Sequence, residues 1–396
     1  MNLACRPALL LLFSQSARLA GPTLALLLLA AHWPAEAFGR FAAAYALASL
    51  LGLVPATGLS AWLLDRSARQ PAAARAMLRR AWRMLSGLAL PVLGLAAAVA
   101  ALAPGYDART LVPLTAAMLL AGAVDCAIAA LRAQKREGSV AASALPANLA
   151  LLAAVLLLEG RGTEAIALAW LAVRGVQVAL LAAMTARVLP SATAAAPPVE
   201  PCWPFFASQS AGVIYGQADT LLVQSIAGDA ATGVYAIAVR LLQLAGFAAQ
   251  TLAQWFQPRL AATAIDGRDW QTQRQRLRLA LAAVGGGGAL GLALAVPPAL
   301  PLVLGPAYAA APTVIMVAGL LLAARCFVAG QWIELTARER EAHRARDSWL
   351  LLALFLALAL PLTVAYGATG TMLAHLLALG PIAALSGRSL ARARQA

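Results

Sequence analysis

The chain has 396 residues, of which 62% are hydrophobic and only 12% charged, and its formal net charge is +14. Soluble domains carry about 25% charged residues, so a cytosolic enzyme is excluded, and the apolar content is far too high for intrinsic disorder. In a soluble protein the positive charge would point to nucleic acid; its distribution along this chain gives a different account.

A membrane-spanning helix needs about 20 mostly apolar residues. Twelve such windows follow one another, at roughly 8–31, 40–63, 84–103, 111–131, 140–158, 165–186, 204–227, 233–256, 279–303, 312–333, 349–366 and 368–387. Runs such as Leu24–Ala31 and Leu350–Leu360 consist of strong helix formers and lack the alternation a transmembrane barrel requires. The expected class is therefore an all-α integral membrane protein of about twelve transmembrane helices. Just after the first window, Ala35-Glu36-Ala37 has the form of a cleavage site. The apolar stretch before it is too long for a signal peptide and contains Arg18, so retention is expected.

Orientation follows from the arginines. With the N-terminus inside, 23 of the 30 basic residues fall in inside segments, three outside (Arg40, Arg109 and Arg161) and four within spans. This predicts an N-in, C-in topology and removes nucleic acid as a partner. Ser14-Gln15-Ser16-Ala17 recurs as Ser208-Gln209-Ser210-Ala211, and the same offset of 194 aligns Gly39 with Gly233 and Phe41 with Tyr235. Over 14–63 there are 14 identities in 50. Both copies start on the inside, which predicts two parallel, pseudo-symmetric six-helix halves: 1–188, a proline-rich cytoplasmic linker at 189–204, and 205–396. Secondary transporters are built this way, with a site between repeats near the midplane.

Ionisable groups inside spans are costly and tend to face a cavity. Here they are Arg18, Asp125, Arg174, Asp219, Arg240 and Arg325, four cations against two anions. Asp219 lies roughly 12 Å and Arg240 roughly 10 Å from the outer ends of their helices at 1.5 Å per residue. The matched depth predicts a salt bridge. Arg240, Gln243, Gln250, Gln254 and Gln257 share one face of helix 8, and Ser208, Gly212, Tyr215 and Asp219 form a second stripe in helix 7. Such stripes either line an aqueous path or join helices; lining is favoured, because glutamine offers donors and acceptors to sugar hydroxyls. Arginine's planar fork suits phosphate. The expected substrate-binding set is Arg18, Arg174, Tyr215, Asp219, Arg240, Gln243, Gln250, Gln254 and Arg325, facing an anionic, hydroxyl-rich cargo. His375, alone in the last span, reads as structural. Gly285–Gly288 reads as a close-packing or flexible point. The four cysteines show no paired spacing, no nucleotide loop or hydrolase motif is present, and no catalytic residue, metal or cofactor is expected.

These features resemble the polysaccharide-unit flippases of the multidrug/oligosaccharidyl-lipid/polysaccharide exporter superfamily. The residues that carry the likeness are Tyr215-x-x-x-Asp219, Gly228-Asp229-x-x-x-Gly233-x-Tyr235, Arg240-Leu241 and Pro258, with Phe38-Gly39-x-Phe41 as a first-half version. Members of that family typically show a tyrosine and an aspartate in helix 7, a short Gly-rich turn, a G-x-Y opening to helix 8 and a closing proline. The resemblance implies a V-shaped two-lobed cavity with cationic residues, by position Arg18 and Arg240, receiving a pyrophosphate. It also implies translocation of undecaprenyl-pyrophosphate-linked oligosaccharide from cytoplasm to periplasm across the bacterial inner membrane. Membrane lipid and polysaccharide-assembly proteins are the implied partners, the protein acting as a monomer. The chain is short for the family and lacks the two extra helices of the lipid II flippase branch. Two other readings remain: a cation-coupled drug exporter using Asp219 or Asp125, and a membrane glycan polymerase or ligase, which the short outside loops disfavour.

Overall fold

The computed structural model describes residues 20–190 and 203–395, apart from 262, 264–266, 306–307, 309–310 and 339–340. Every regular element among the described residues is helical. In chain order these are α1 (Ala20–His32), α2 (Ala35–Leu53), α3 (Thr57–Arg69), α4 (Ala74–Leu102), α5 (Ala108–Ala133), α6 (Glu137–Leu158) and α7 (Gly162–Val188). There follow α8 (Trp203–Tyr215), α9 (Ala218–Ala261), α10 (Arg268–Leu290), α11 (Val296–Leu304), α12 (Ala311–Ala337) and α13 (Glu341–Gln395). Ala35-Glu36-Ala37 opens α2 and lies within the fold.

Eight stretches are long and apolar enough to cross a membrane. Three of them, Glu137–Val188, Gln209–Gln257 and His343–Arg392, run to 52, 49 and 50 residues. A straight helix of that length would reach about 75 Å, far beyond a hydrocarbon core of about 30 Å. Each is broken at a glycine with positive φ: Gly162 (+86°), Gly228 (+81°) and Gly367 (+57°). Only glycine takes these angles without a steric penalty. The last break is a tight reversal, since Thr363 and Thr371 hydroxyls meet at 2.6 Å across it. The apolar surface is outward as well as inward: Leu90, Leu102 and Leu157 are each about four-fifths exposed. Water would penalise such a surface, whereas lipid tails do not. The protein is a multi-pass membrane protein.

The described chain forms two compact units. One comprises residues up to Leu29 with Arg40–Ala218; the other comprises Ala30–Gly39 with Asp219 onward. In the first, α5 packs against α3, α4 and α7. Its core joins Trp62, Leu63, Met77 and Leu131, and the Trp82 indole donates to the Ala123 carbonyl at 3.0 Å. Tyr45 meets the buried Trp170 edge-on at 5.5 Å. Helix α8 packs on α3, where Gly58 lies against the Phe206 backbone.

In the second unit α12 packs on α10 and α13. Of the four-glycine run, Gly285 and Gly288 are close-packed against α12, while Gly286 and Gly287 face open space. The backbone continues from α10 into α11 through a π-helical segment, Gly291–Ala295. At the opening of α2, Gly39 lies against the Asp229 carbonyl and Gly233 against the Ala35 carbonyl. Subtracting 194 from 233 and 229 gives 39 and 35, so these two contacts are equivalent under the internal repeat.

Candidate functional site

The most highly connected polar cluster lies in the second unit, where both runs of α9 and both runs of α13 contribute to it. Asp219 occupies the first turn of α9 and is 3% exposed. Its Oδ1 accepts from the Thr220 amide at 2.6 Å and the Thr220 hydroxyl at 3.1 Å. Its Oδ2 accepts from the Tyr235 hydroxyl at 2.8 Å and lies 3.0 Å from His375 Nε2. Phe355 stacks on the imidazole, with ring centroids 4.0 Å apart. Burial of a carboxylate is tolerable only with such saturation. The arrangement places a proton position between Asp219 Oδ2 and His375 Nε2, with the Phe355 ring covering one face of the imidazole. Arg325 is half-buried on α12.

The predicted salt bridge between Asp219 and Arg240 does not form. Matched depth fixes height on the helix but not azimuth. Arg240 lies five residues beyond Tyr235, which turns it roughly 140° around α9 at 3.6 residues per turn, and Tyr235 is the side chain that faces Asp219. Arg240 is buried at 7% exposure and donates through Nη1 to Gln243 Oε1 at 2.8 Å. The first unit repeats this device. Arg174 Nη1 donates to Gln177 Oε1 at 2.6 Å, again three residues on, and Gln177 is itself buried. In both cases a cation inside an apolar helix is braced by a neutral side chain one turn away.

The glutamine stripe keeps its single face because α9 is helical from 229 to 261. It passes from buried at Arg240, through half-buried Gln243, to exposed at Gln250 and Gln254. The other stripe is interrupted. Helix α8 ends at Tyr215, which is half-buried, and α9 starts at Ala218, with Gly216 and Gln217 in a turn between them. Asp219 thus sits at a helix start, not in mid-helix; Gly216 was the available signal. Arg18 lies outside the described residues. The sequence reads His375 as structural; its partnership with Asp219, 156 residues away, leaves no local signature.

The fold is that of the multidrug/oligosaccharidyl-lipid/polysaccharide transporters. An inward-facing multidrug resistance MATE family transporter aligns with a TM-score of 0.64 at 13% identity, covering 96% of this chain and 92% of that one. The lipid II flippase MurJ in an inward closed conformation gives 0.69 at 12% identity, covering 98% and 86%. A transporter of the same superfamily from Pyrococcus furiosus gives 0.63 at 11%, covering 96% and 93%. Comparison with curated proteins by sequence returned no match. Residues 29–312 match the family described as polysaccharide biosynthesis protein, and the chain belongs to that family.

Proposed function

We propose that the protein is a flippase moving polyprenyl-pyrophosphate-linked oligosaccharide units from the cytoplasmic to the periplasmic leaflet of a bacterial inner membrane, by alternating access, for surface polysaccharide assembly. The observation that carries this reading is the pair of braced arginines. Arg174 and Arg240 each lie within an apolar helix, and each donates to a glutamine one turn away that fixes its orientation. A fixed guanidinium fork is suited to phosphate oxygens, and the exposed Gln250 and Gln254 continue from Arg240 along one helix face as donors and acceptors for sugar hydroxyls. Family membership supports the polysaccharide context. The transporter neighbours support a carrier that performs no chemistry of its own.

The proposed topology has twelve crossings in two six-helix halves, 1–188 and 205–396, joined by 189–204, with both termini inside. The reciprocal Gly39 and Gly233 contacts support the repeat, and the three glycine breaks support two crossings in each of the long spans. The proposed substrate set is Arg18, Arg174, Tyr215, Asp219, Arg240, Gln243, Gln250, Gln254 and Arg325. The protein is proposed to act as a monomer beside polysaccharide-assembly proteins. Replacing Arg240→Ala or Arg18→Ala, in a cell whose surface polysaccharide depends on this gene, is expected to abolish the polysaccharide. Wild-type polysaccharide in both variants would remove the site.

A second reading is a cation-coupled multidrug exporter, favoured by the buried Asp219–His375 pair as a cation or proton site. Drug resistance on overexpression that disappears in Asp219→Asn would select it.

A further inference from the structure

A groove of about 780 Å³ lies in the second unit, bounded by α10, α12 and the end of α13. Its floor is small and apolar, including Ala282, Gly286, Ala323 and Gly330. Leu279 and Phe327 on its wall are both nearly two-thirds exposed, so it opens toward lipid. From Arg274 to Gly286 the wall spans twelve residues, about 18 Å at 1.5 Å per residue. One leaflet of a hydrocarbon core of about 30 Å is about 15 Å deep. The groove therefore has the height of a single leaflet.

One end is charged. Glu334, fully buried, accepts a hydrogen bond from Arg278 Nε at 2.7 Å and is ion-paired with Arg274, whose Nε lies 2.9 Å away. Two guanidinium groups face one carboxylate there, and a third, that of Arg338, lies 4.7 Å from the Trp270 ring. One turn before Glu334, Gln331 lines the groove. It is nine-tenths buried, and its side-chain oxygen has no hydrogen-bond partner among the described residues. Leaving such a buried acceptor unpaired is destabilising, and a ligand hydroxyl beside it would satisfy it. Apolar depth of one leaflet, a cationic end and an unpaired acceptor between them describe a lipid with a phosphate and a hydroxylated headgroup. Basic pockets between membrane helices are a recurrent form of anionic-lipid site.

We infer that this groove binds one anionic glycerophospholipid of the leaflet at its arginine end, an acyl chain along Gly286 and the phosphate on Arg274 and Arg278, with Gln331 taking a headgroup hydroxyl. The site is separate from the residues proposed to meet the transported cargo.

The test is native mass spectrometry of the purified full chain with phosphatidylglycerol, phosphatidylcholine of the same acyl chains, inorganic phosphate and a polyprenyl phosphate as separate probes. Phosphatidylglycerol is expected to bind at least about tenfold more tightly than phosphatidylcholine, a difference of about 1.4 kcal/mol. Arg278→Gln should remove that preference and leave phosphatidylcholine unchanged. Gly286→Leu should weaken both lipids about tenfold, because its position has open space for a side chain. If Arg278→Gln does not fold, Gly286→Leu decides the matter by itself. Equal binding of the two phospholipids, undiminished phosphatidylglycerol in Gly286→Leu, occupancy by inorganic phosphate alone, or preference for the polyprenyl phosphate would each overturn the assignment. The transport reading survives all four results, since it rests on other residues.

Discussion

Gly39 and Gly233 meet backbone to backbone: a methyl group added to Gly39 would come within 2.8 Å of the Gly233 amide nitrogen and overlap the Asp229 carbonyl. The obstacle is main chain on both sides, so it cannot be relieved by a rotamer change. Gly39→Ala and Gly233→Ala are each expected to destabilise by about 1–3 kcal/mol, the range for overpacking. Gly246 aligns with Gly52 in the repeat but has open space around it, so Gly246→Ala is expected to be neutral or slightly stabilising through helix propensity. Thermal unfolding in detergent separates the cases; equal behaviour of all three variants would contradict the packing.

Asp219 serves four contacts, so its loss orphans several groups at once. Asp219→Ala is expected to cost about 3 kcal/mol or more, since each buried donor left unsatisfied costs about 1–3 kcal/mol. Tyr235→Phe, which removes one donor and keeps the ring, should cost about 1–2 kcal/mol. A double-mutant cycle between them should show strong coupling. Additive losses would mean that the hydroxyl and the carboxylate do not meet.

The braced arginines can be tested apart from their charge. Gln243→Leu keeps Arg240 and removes its brace, a charge-assisted hydrogen bond worth about 1.5–3 kcal/mol. Surface polysaccharide is expected to fall about tenfold in Gln243→Leu and Gln177→Leu, and to vanish in Arg240→Ala and Arg174→Ala. Wild-type levels in the leucine variants would show that the brace has no part in transport.

Glu334 is buried between Arg274 and Arg278. Glu334→Gln leaves two guanidinium groups facing a neutral amide and is expected to destabilise by about 3–5 kcal/mol. Addition of Arg274→Gln should recover part of that loss by removing one uncompensated cation. A double variant no more stable than Glu334→Gln would argue against the bridge.

Tyr308, between α11 and α12, donates to the Trp33 carbonyl at 3.4 Å, and burial pushes its phenol up to about 12. The folded state favours the protonated form, while the unfolded phenol ionises near 10. This contribution to stability is complete below pH about 10 and is lost as the pH rises through about 12. The melting temperature should fall across that window in the wild type and fall less in Tyr308→Phe.

The membrane class was legible because apolar windows of about twenty residues have no soluble alternative. Gly39 and Gly233, aligned in the sequence at an offset of 194, must both stay small where carbonyl groups press on them. The site was legible only in part. Arg174, Arg240 and Asp219 stood out as ions inside apolar helices, but their partners did not. Depth along a helix can be counted from a sequence, whereas azimuth at a broken helix cannot, and the turn at Gly216–Gln217 reset it for Asp219. His375 could not be tied to Asp219 because α13 folds back at Gly367, and nothing local to His375 records where that hairpin lands.

The segment Ala30–Gly39 belongs with a unit whose remaining residues begin at Asp219. During synthesis it emerges early, while the backbone it packs against, around Asp229 and Gly233, appears some 194 residues later. At about 5–20 residues per second that is a wait of roughly 10–40 s. The second unit is thus held incomplete until its own N-terminal contribution is claimed, and a gene cut at the proline-rich segment would yield a C-terminal fragment with the glycine face of α9 bare. Co-expression with the N-terminal fragment, not added length on the C-terminal one, is what would cover it.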